Sequence, residues 1–215
     1  MAQERTISAI EPQQRKRDRM NLYLDGEFAM GVNAAVVVSL GLSVGQRIDE
    51  EHLNDIVRQE SLNKAKDRAF NLLSYRARSE KEIRDRLALA GYETDIVDEV
   101  VSRLYALNYL DDQDFARKFI SDRQAERPAG RRALAWELRR KGLDAETVET
   151  AVAGMDDDTE RAAALEAAGA RAARYVNMEP QDARRKLGAF LQRRGFAWDT
   201  INDVLGVVLT PKHAD

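Results

Sequence analysis

The chain of 215 residues carries 34 Lys and Arg against 37 Asp and Glu, a formal net charge of −3, with two His and no Cys. The lack of Cys excludes disulfides, thiolate zinc sites, iron–sulfur clusters and thiol catalysis, and fits a reducing compartment. An apolar fraction of 44% is enough to bury a core and excludes a wholly disordered chain.

The opening Met-Ala-Gln-Glu-Arg is polar and no apolar stretch follows it, so no secretion signal is expected. The longest purely apolar run, Ala34 to Val38, is far short of the roughly 20 residues of a membrane helix. The expectation is a cytoplasmic protein with no membrane contact. His52 and His213 lie far apart, which argues against a His base or a multi-His metal site.

Residues 1–32 read as β structure. Thr6–Ile10 is a strand candidate, followed by a basic connection with Arg15, Lys16, Arg17 and Arg19. Met20–Leu24 alternates, Asp25-Gly26 interrupts, and Glu27–Val32 resumes with Phe28, Met30 and Val32 expected on one face. Asp-Gly between alternating runs signals a hairpin, because both central residues of a type I′ turn need positive φ. Asn33 can cap a short helix from Ala34 to Leu40 that stops at Gly41, and Asp49 can cap another that starts at Glu50-Glu51.

Beyond Glu50 the pattern is helical and repeats. Gly91, Gly142 and Gly195 are 51 and 53 residues apart. Leu87, Leu138 and Leu191 stand four residues before them, and Ile83, Leu134 and Leu187 eight before. Tyr92, Leu143 and Phe196 follow directly; Ile96, Val148 and Ile201 come next, then Val100, Val152 and Leu205. This is one unit written three times: a helix ends at a left-handed glycine, turns tightly, and a further helix begins. Each unit has an upstream helix, at Leu62–Tyr75, Asp114–Gln124 (Phe115, Phe119 and Ile120 inward) and Thr159–Tyr175. Ser79-Glu80-Lys81-Glu82 is a capping box for the first middle helix. Pro128 and Pro180 fall where one helix can end and the next begin. The expected fold is mainly α: three tandem three-helix repeats in an elongated array, after a small N-terminal hairpin or three-stranded sheet with short helices. The expected boundaries are 1–60 for the extension, 61–110, 111–155 and 156–209 for the repeats, and 210–215 for a polar tail.

Positive charge gathers on the middle helices. Residues 123–141 hold Arg123, Arg127, Arg131, Arg132, Arg139, Arg140 and Lys141 against Glu126 and Glu137. Residues 171–195 hold Arg171, Arg174, Arg184, Arg185, Lys186, Arg193 and Arg194 against Glu179 and Asp182. Arg76, Arg78 and Lys81 make a milder run. Lys81, Arg132 and Arg185 each stand ten residues before the turn glycine. A solvated helix face is the plain alternative for any one run, but a repeated basic stripe suits an extended polyanion or a partner with an acidic repeat. The third helices open with acids instead: Glu93, Asp95, Asp98 and Glu99, then Asp144, Glu146 and Glu149. An acidic helix start repels phosphate, which argues against a groove-reading regulator.

Trp136 is two residues from both Leu134 and Leu138, about 200° around the helix, so it should point away from the core. Beside Arg132, Arg139 and Arg140 it can stack on a base or anchor a protein interface; burial against an adjacent repeat is the alternative. Asp111-Asp112-Gln113-Asp114 and Asp156-Asp157-Asp158 precede predicted helices and read as caps rather than metal ligands. No phosphate loop and no nucleophile motif is present, so neither a catalytic residue nor a cofactor is expected.

Leu73 to Ile83, with Leu87 and Gly91-Tyr92, resembles the first repeat of the bacterial RecX family of regulatory proteins. Leu110 to Ala116, with Arg123, Gly130, Leu138 and Lys141-Gly142-Leu143, resembles the second. The third repeat keeps the spacing but few motif letters. The resemblance implies a monomeric, non-enzymatic modulator, usually an inhibitor, of the RecA recombinase. Such proteins bind the RecA–single-stranded DNA filament, restrain its ATP hydrolysis and strand exchange, and bind DNA weakly alone. The residues expected to touch DNA or filament are Arg76, Arg78, Lys81, Arg123, Arg127, Arg131, Arg132, Trp136, Arg139, Arg140, Lys141, Arg184, Arg185, Arg193 and Arg194. A stand-alone nucleic-acid-binding repeat protein without a RecA role is the competing reading.

Overall fold

The computed structural model of the chain describes residues 4–14 and 16–209, without the side chains of residues 16 and 17. Arg15, the Lys16 and Arg17 side chains, and the polar tail with His213 lie outside the described residues. Two compact units emerge. The first runs to Arg76 and resumes over Ile83–Tyr109; the second takes Ala77–Glu82 and the chain from Leu110 on.

In the first unit, β1 (Arg5–Gln13), β2 (Lys16–Leu24), β3 (Glu27–Asn33) and β4 (Arg47–Ile48) form an antiparallel sheet in the order β3-β2-β1-β4. Asp25 and Gly26 have φ of 52° and 89°, the turn the Asp-Gly pair predicts. Three expectations need correction. The basic stretch from Lys16 to Arg19 is strand, not connection, because β2 carries the hairpin back to Lys16 opposite Gln13. A fourth strand pairs Arg5 and Thr6 with Ile48 and Arg47. Phe28 does not share a face with Met30 and Val32. The register shifts between Leu22, opposite Met30, and Tyr23, opposite Phe28, so Ala29 is the extra residue of a bulge. The bulge turns Phe28 out against Tyr23, ring to edge at 5.9 Å. Ile7, Leu22, Leu24, Val32 and Ile48 stay inward and meet Val36 and Ile56.

Asn33 Oδ1 accepts from the Ala35 amide at 2.8 Å and opens α1 (Ala34–Ser39). Asp49 Oδ1 accepts from the His52 amide at 2.9 Å and opens α2 (Glu50–Tyr75). α2 is one unbroken helix of 26 residues where the pattern placed a start at Glu50 and another helix from Leu62. Its buried Glu60 ties helix to sheet: the carboxylate takes Arg19 at 2.7 Å, the Asn33 amide at 2.6 Å and Lys64 at 3.1 Å. A buried carboxylate is tolerable only with its oxygens satisfied in this way.

The three-helix repeats are as the pattern requires. After α2 come α3 (Glu80–Ala88) and α4 (Thr94–Ala106); then α5 (Asp112–Glu126), α6 (Arg131–Arg140) and α7 (Ala145–Ala153); then α8 (Asp157–Ala172), α9 (Pro180–Arg193) and α10 (Trp198–Val208). Gly91, Gly142 and Gly195 have φ of 86°, 91° and 79°. At each, the following amide reaches back to the carbonyl of Leu87, Leu138 or Leu191 at 3.3 Å, a Schellman closure made three times. Those leucines, and Ile83, Leu134 and Leu187, are fully buried. Pro180 is the first residue of α9, where its missing N–H costs nothing.

Within the second unit, which includes the opening turn of α3, helix ends meet helix starts. The Lys141 carbonyl, at the end of α6, accepts from the Ser79 hydroxyl at 2.6 Å, before the opening turn of α3. The Arg194 carbonyl, at the end of α9, accepts from the Gly130 amide at 2.9 Å, before α6. The negative end of the α9 dipole thus faces the positive end of α6.

Candidate nucleic-acid interface

The basic residues of α6 and α9 separate into two sets by their partners. Arg123 forks onto Glu137 at 3.0 Å and also donates to the Arg127 carbonyl. Arg131 pairs with Glu160 at 3.1 Å and Asp157 at 2.8 Å, and donates to the Met155 carbonyl at 2.8 Å. Lys141 reaches Glu82 at 2.6 Å. Arg194 donates to the Pro128 carbonyl at 2.7 Å and lies over Phe190, its guanidinium carbon 5.3 Å from the ring centre. Burial, with Arg127, Arg123 and Arg171 close by, pushes the Arg194 guanidinium below its ordinary value. Its Nε is buried without a partner. These four cations hold the second unit together.

The other set faces solvent: Arg127, Arg132, Arg139, Arg140, Arg184, Arg185 and Arg193 are exposed. Trp136 is 56% exposed, so the outward reading holds, and Arg140 lies over its ring at 4.7 Å. Arg185 pairs with Asp182 at 2.8 Å in solvent, and Arg184 sits 3.5 Å from Asn202 Oδ1. Such exposed contacts contribute little and leave the charge available. Lys81 and Arg76 are exposed and Arg78 is half-buried.

The acidic clusters act as helix starts. Asp111 Oδ1 accepts from the Asp114 amide at 2.8 Å, and Asp156 Oδ1 from the Thr159 amide at 2.7 Å. Hydrogen bonds from the Thr159 side chain and amide hold Asp156 below the usual carboxylate range, and Lys118 does the same for Asp114. Among the described residues no group of three or more His, Asp or Glu is placed to hold a metal ion, and no helix is long and apolar enough to cross a membrane.

Two features escaped the sequence reading. Glu160, almost fully buried, accepts from the Arg131 amide at 3.1 Å and caps α6 from another repeat. Trp198, at the start of α10, is 59% exposed beside Arg184 and Arg185. Its signal was available: it is the second of two Trp and follows a basic run.

Known proteins share this pattern. Residues 5–49 match the family model for the regulatory protein RecX N-terminal domain. Residues 65–104, 111–152 and 158–205 match the models for the first, second and third RecX three-helix domains. The chain is 33% identical to the regulatory protein RecX of Bacillus velezensis over 199 residues, 93% of this chain and 76% of that one. It is 30% identical to that of Clostridioides difficile over 203 residues, 94% and 95% of the two chains. A crystal structure of regulatory protein RecX superimposes with a TM-score of 0.80 at 26% identity, covering 93% of this chain and 98% of that one.

Proposed function

The chain belongs to the RecX family of regulatory proteins, and from that premise we propose that it is a non-enzymatic regulator of the RecA–single-stranded DNA filament. In this reading it binds the filament, restrains ATP hydrolysis and strand exchange, and touches bare single-stranded DNA weakly and without sequence preference. It acts in the cytoplasm as a monomer and uses no cofactor.

The observation that carries the reading is the sorting of the cations. Arg123, Arg131, Lys141 and Arg194 are spent on internal partners, while Arg132, Arg139 and Arg140 stand around exposed Trp136. A surface of guanidiniums beside an indole suits phosphates and an unstacked base, or an acidic protein surface. Two of its positions on α6, Arg132 and Arg140, have counterparts on α9 in Arg185 and Arg193. The acids at the starts of α4 and α7 keep that chemistry off the third helices: Asp95 and Glu99 face Arg58, and Asp144 caps α7.

Salt dependence tests the reading. Each phosphate contact on a single strand steepens the fall of log K with log salt by about 0.7. Replacing Arg132, Arg139 and Arg140 by Ala should flatten the slope by up to about two units and weaken filament binding, with thermal stability nearly unchanged. Filament affinity and slope equal to wild type would defeat the assignment of this face. Filament binding no tighter than binding to bare single strands would favour the stand-alone nucleic-acid-binding reading.

A further inference from the structure

In the third repeat α9 and α10 leave an open groove of about 430 Å³. Gly188, Leu205 and Trp198 line it, together with polar side chains that include Arg184, Arg185 and Asn202. The other repeats treat the same place differently. Seven residues before and after the turn glycine stand Arg84 and Asp98 in the first repeat, Ala135 and Glu149 in the second, and Gly188 and Asn202 in the third. Arg84 and Asp98 form an ion pair between α3 and α4. Gly188 removes that side chain altogether, and a Cβ there would already touch Leu205 Cδ1 at 3.4 Å. Asn202 replaces the acid, so no carboxylate lines the groove. What is left is an apolar patch, an exposed indole, two guanidiniums and neutral amides.

We propose that this groove is a subsite for single-stranded nucleic acid, with one base stacked on Trp198 and neighbouring phosphates held by Arg184 and Arg185. The assignment rests on the nucleic-acid contact proposed above and gives it a second place, apart from Trp136. Charge complementarity selects a polyanion. The flat exposed ring selects one with a free aromatic face, and bases show their faces only when unpaired and unstacked. The volume lies within the range of pockets that hold small ligands.

Tryptophan emission reads the site directly, since the chain has only two Trp. Trp136→Phe leaves Trp198 as the sole emitter. Titration with a labelled oligothymidylate at low salt should quench that emission with the same midpoint as the label's anisotropy. Trp198→Ala should weaken oligonucleotide binding about tenfold. Arg184→Ala with Arg185→Ala should abolish the quenching while the thermal melt stays in place, because all three side chains are exposed. Binding by anisotropy with unmoved Trp198 emission overturns the subsite and leaves the nucleic-acid reading standing. No oligonucleotide binding at all overturns both. Equal quenching by polyglutamate shows a groove for acidic peptides and overturns the assignment.

Discussion

The α3–α6 contact and the α6–α9 contact solve one problem with different letters. Both put the carbonyl before a turn glycine onto the start of another middle helix, at Ser79 in one case and Gly130 in the other. Both bring a carboxylate from a first helix to the first amide of the helix being covered: Asp112 lies 3.4 Å from the Glu80 amide, Glu160 3.1 Å from that of Arg131. The difference is what fills the gap. At α3–α6 a side chain does: a Cβ on Gly142 would meet Lys81 Cβ and Cδ at 2.4 and 2.5 Å. At α6–α9 main chain meets main chain: a Cβ on Gly130 would lie 2.3 Å from the Gly195 carbonyl oxygen, and one on Gly195 2.3 Å from the Ala133 nitrogen. Lys81 Cβ is fixed by its own backbone and can swing aside no more than main chain can. The second contact is the more exacting because it needs glycine on both sides, at Gly130 and Gly195, although neither shows as a repeated letter.

The largest expected effect is common to all repeats and serves as the control. Leu87→Ala, Leu138→Ala and Leu191→Ala should each cost about 2–5 kcal/mol, because each leucine is fully buried at the same place. Denaturant unfolding measures this, and a loss below about half a kilocalorie for Leu138→Ala would refute the equivalence of the repeats.

The turn glycines then separate the cost of the turn from the cost of the contacts. Gly91→Ala meets nothing within 4 Å, so it should cost only the left-handed backbone, about 1 kcal/mol. Gly195→Ala adds a collision with Ala133 and should cost about 2–4 kcal/mol. Gly142→Ala meets Lys81 Cβ at 2.4 Å, a carbon that Lys81→Ala would keep, and should cost about as much as Gly195→Ala. Gly130 has a φ of −79°, so Gly130→Ala isolates the close approach without backbone strain. Equal losses at Gly91 and Gly195 would show that the close approach at α6–α9 adds nothing to the cost of the turn.

The sequence made the repeats legible because a left-handed glycine and its leucine four residues back leave fixed letters at fixed spacing. Trp136 was placed outward by helix angle alone. The contacts between middle helices were not legible, because a serine hydroxyl and a glycine amide occupy equivalent positions and share no side-chain chemistry. The bulges at Ser8 and Ala29 shift register without a glycine to mark them. A count of basic residues likewise cannot tell Arg123, forked onto Glu137 a full helix away, from exposed Arg139. Partners distant in sequence decide which charges remain for a ligand.

The capping carboxylates give a smaller contrast. Glu160 is nearly buried and answers both the Arg131 amide and its guanidinium. Its removal strands a buried donor, so Glu160→Ala should cost about 1–3 kcal/mol. The longer Asp112 contact, to the Glu80 amide, should cost less than about 1 kcal/mol on Asp112→Ala. Reversed magnitudes in chemical denaturation would show that the α3–α6 contact is the tighter one.

The smallest effect is a titration. Asp156 opens α8, and hydrogen bonds from the Thr159 side chain and amide lower its pKa, with Arg131 adding a further electrostatic pull. A carboxylate lowered in the folded state stabilises fully above its unfolded value of about 3.9, and that contribution is lost as pH falls through the folded pKa. The melting-temperature gap between wild type and Asp156→Ala should therefore be constant at neutral pH and close only in acid. Arg131 also bridges α6 to Asp157 and Glu160, so Arg131→Met removes the pull while leaving the Thr159 bonds in place. The Asp156 carboxyl followed by NMR should then titrate at a higher pH than in wild type, yet still below a free aspartate. An unmoved titration would mean that Arg131 serves the α6–α9 contact through Glu160 alone and that the cap of α8 is independent of it.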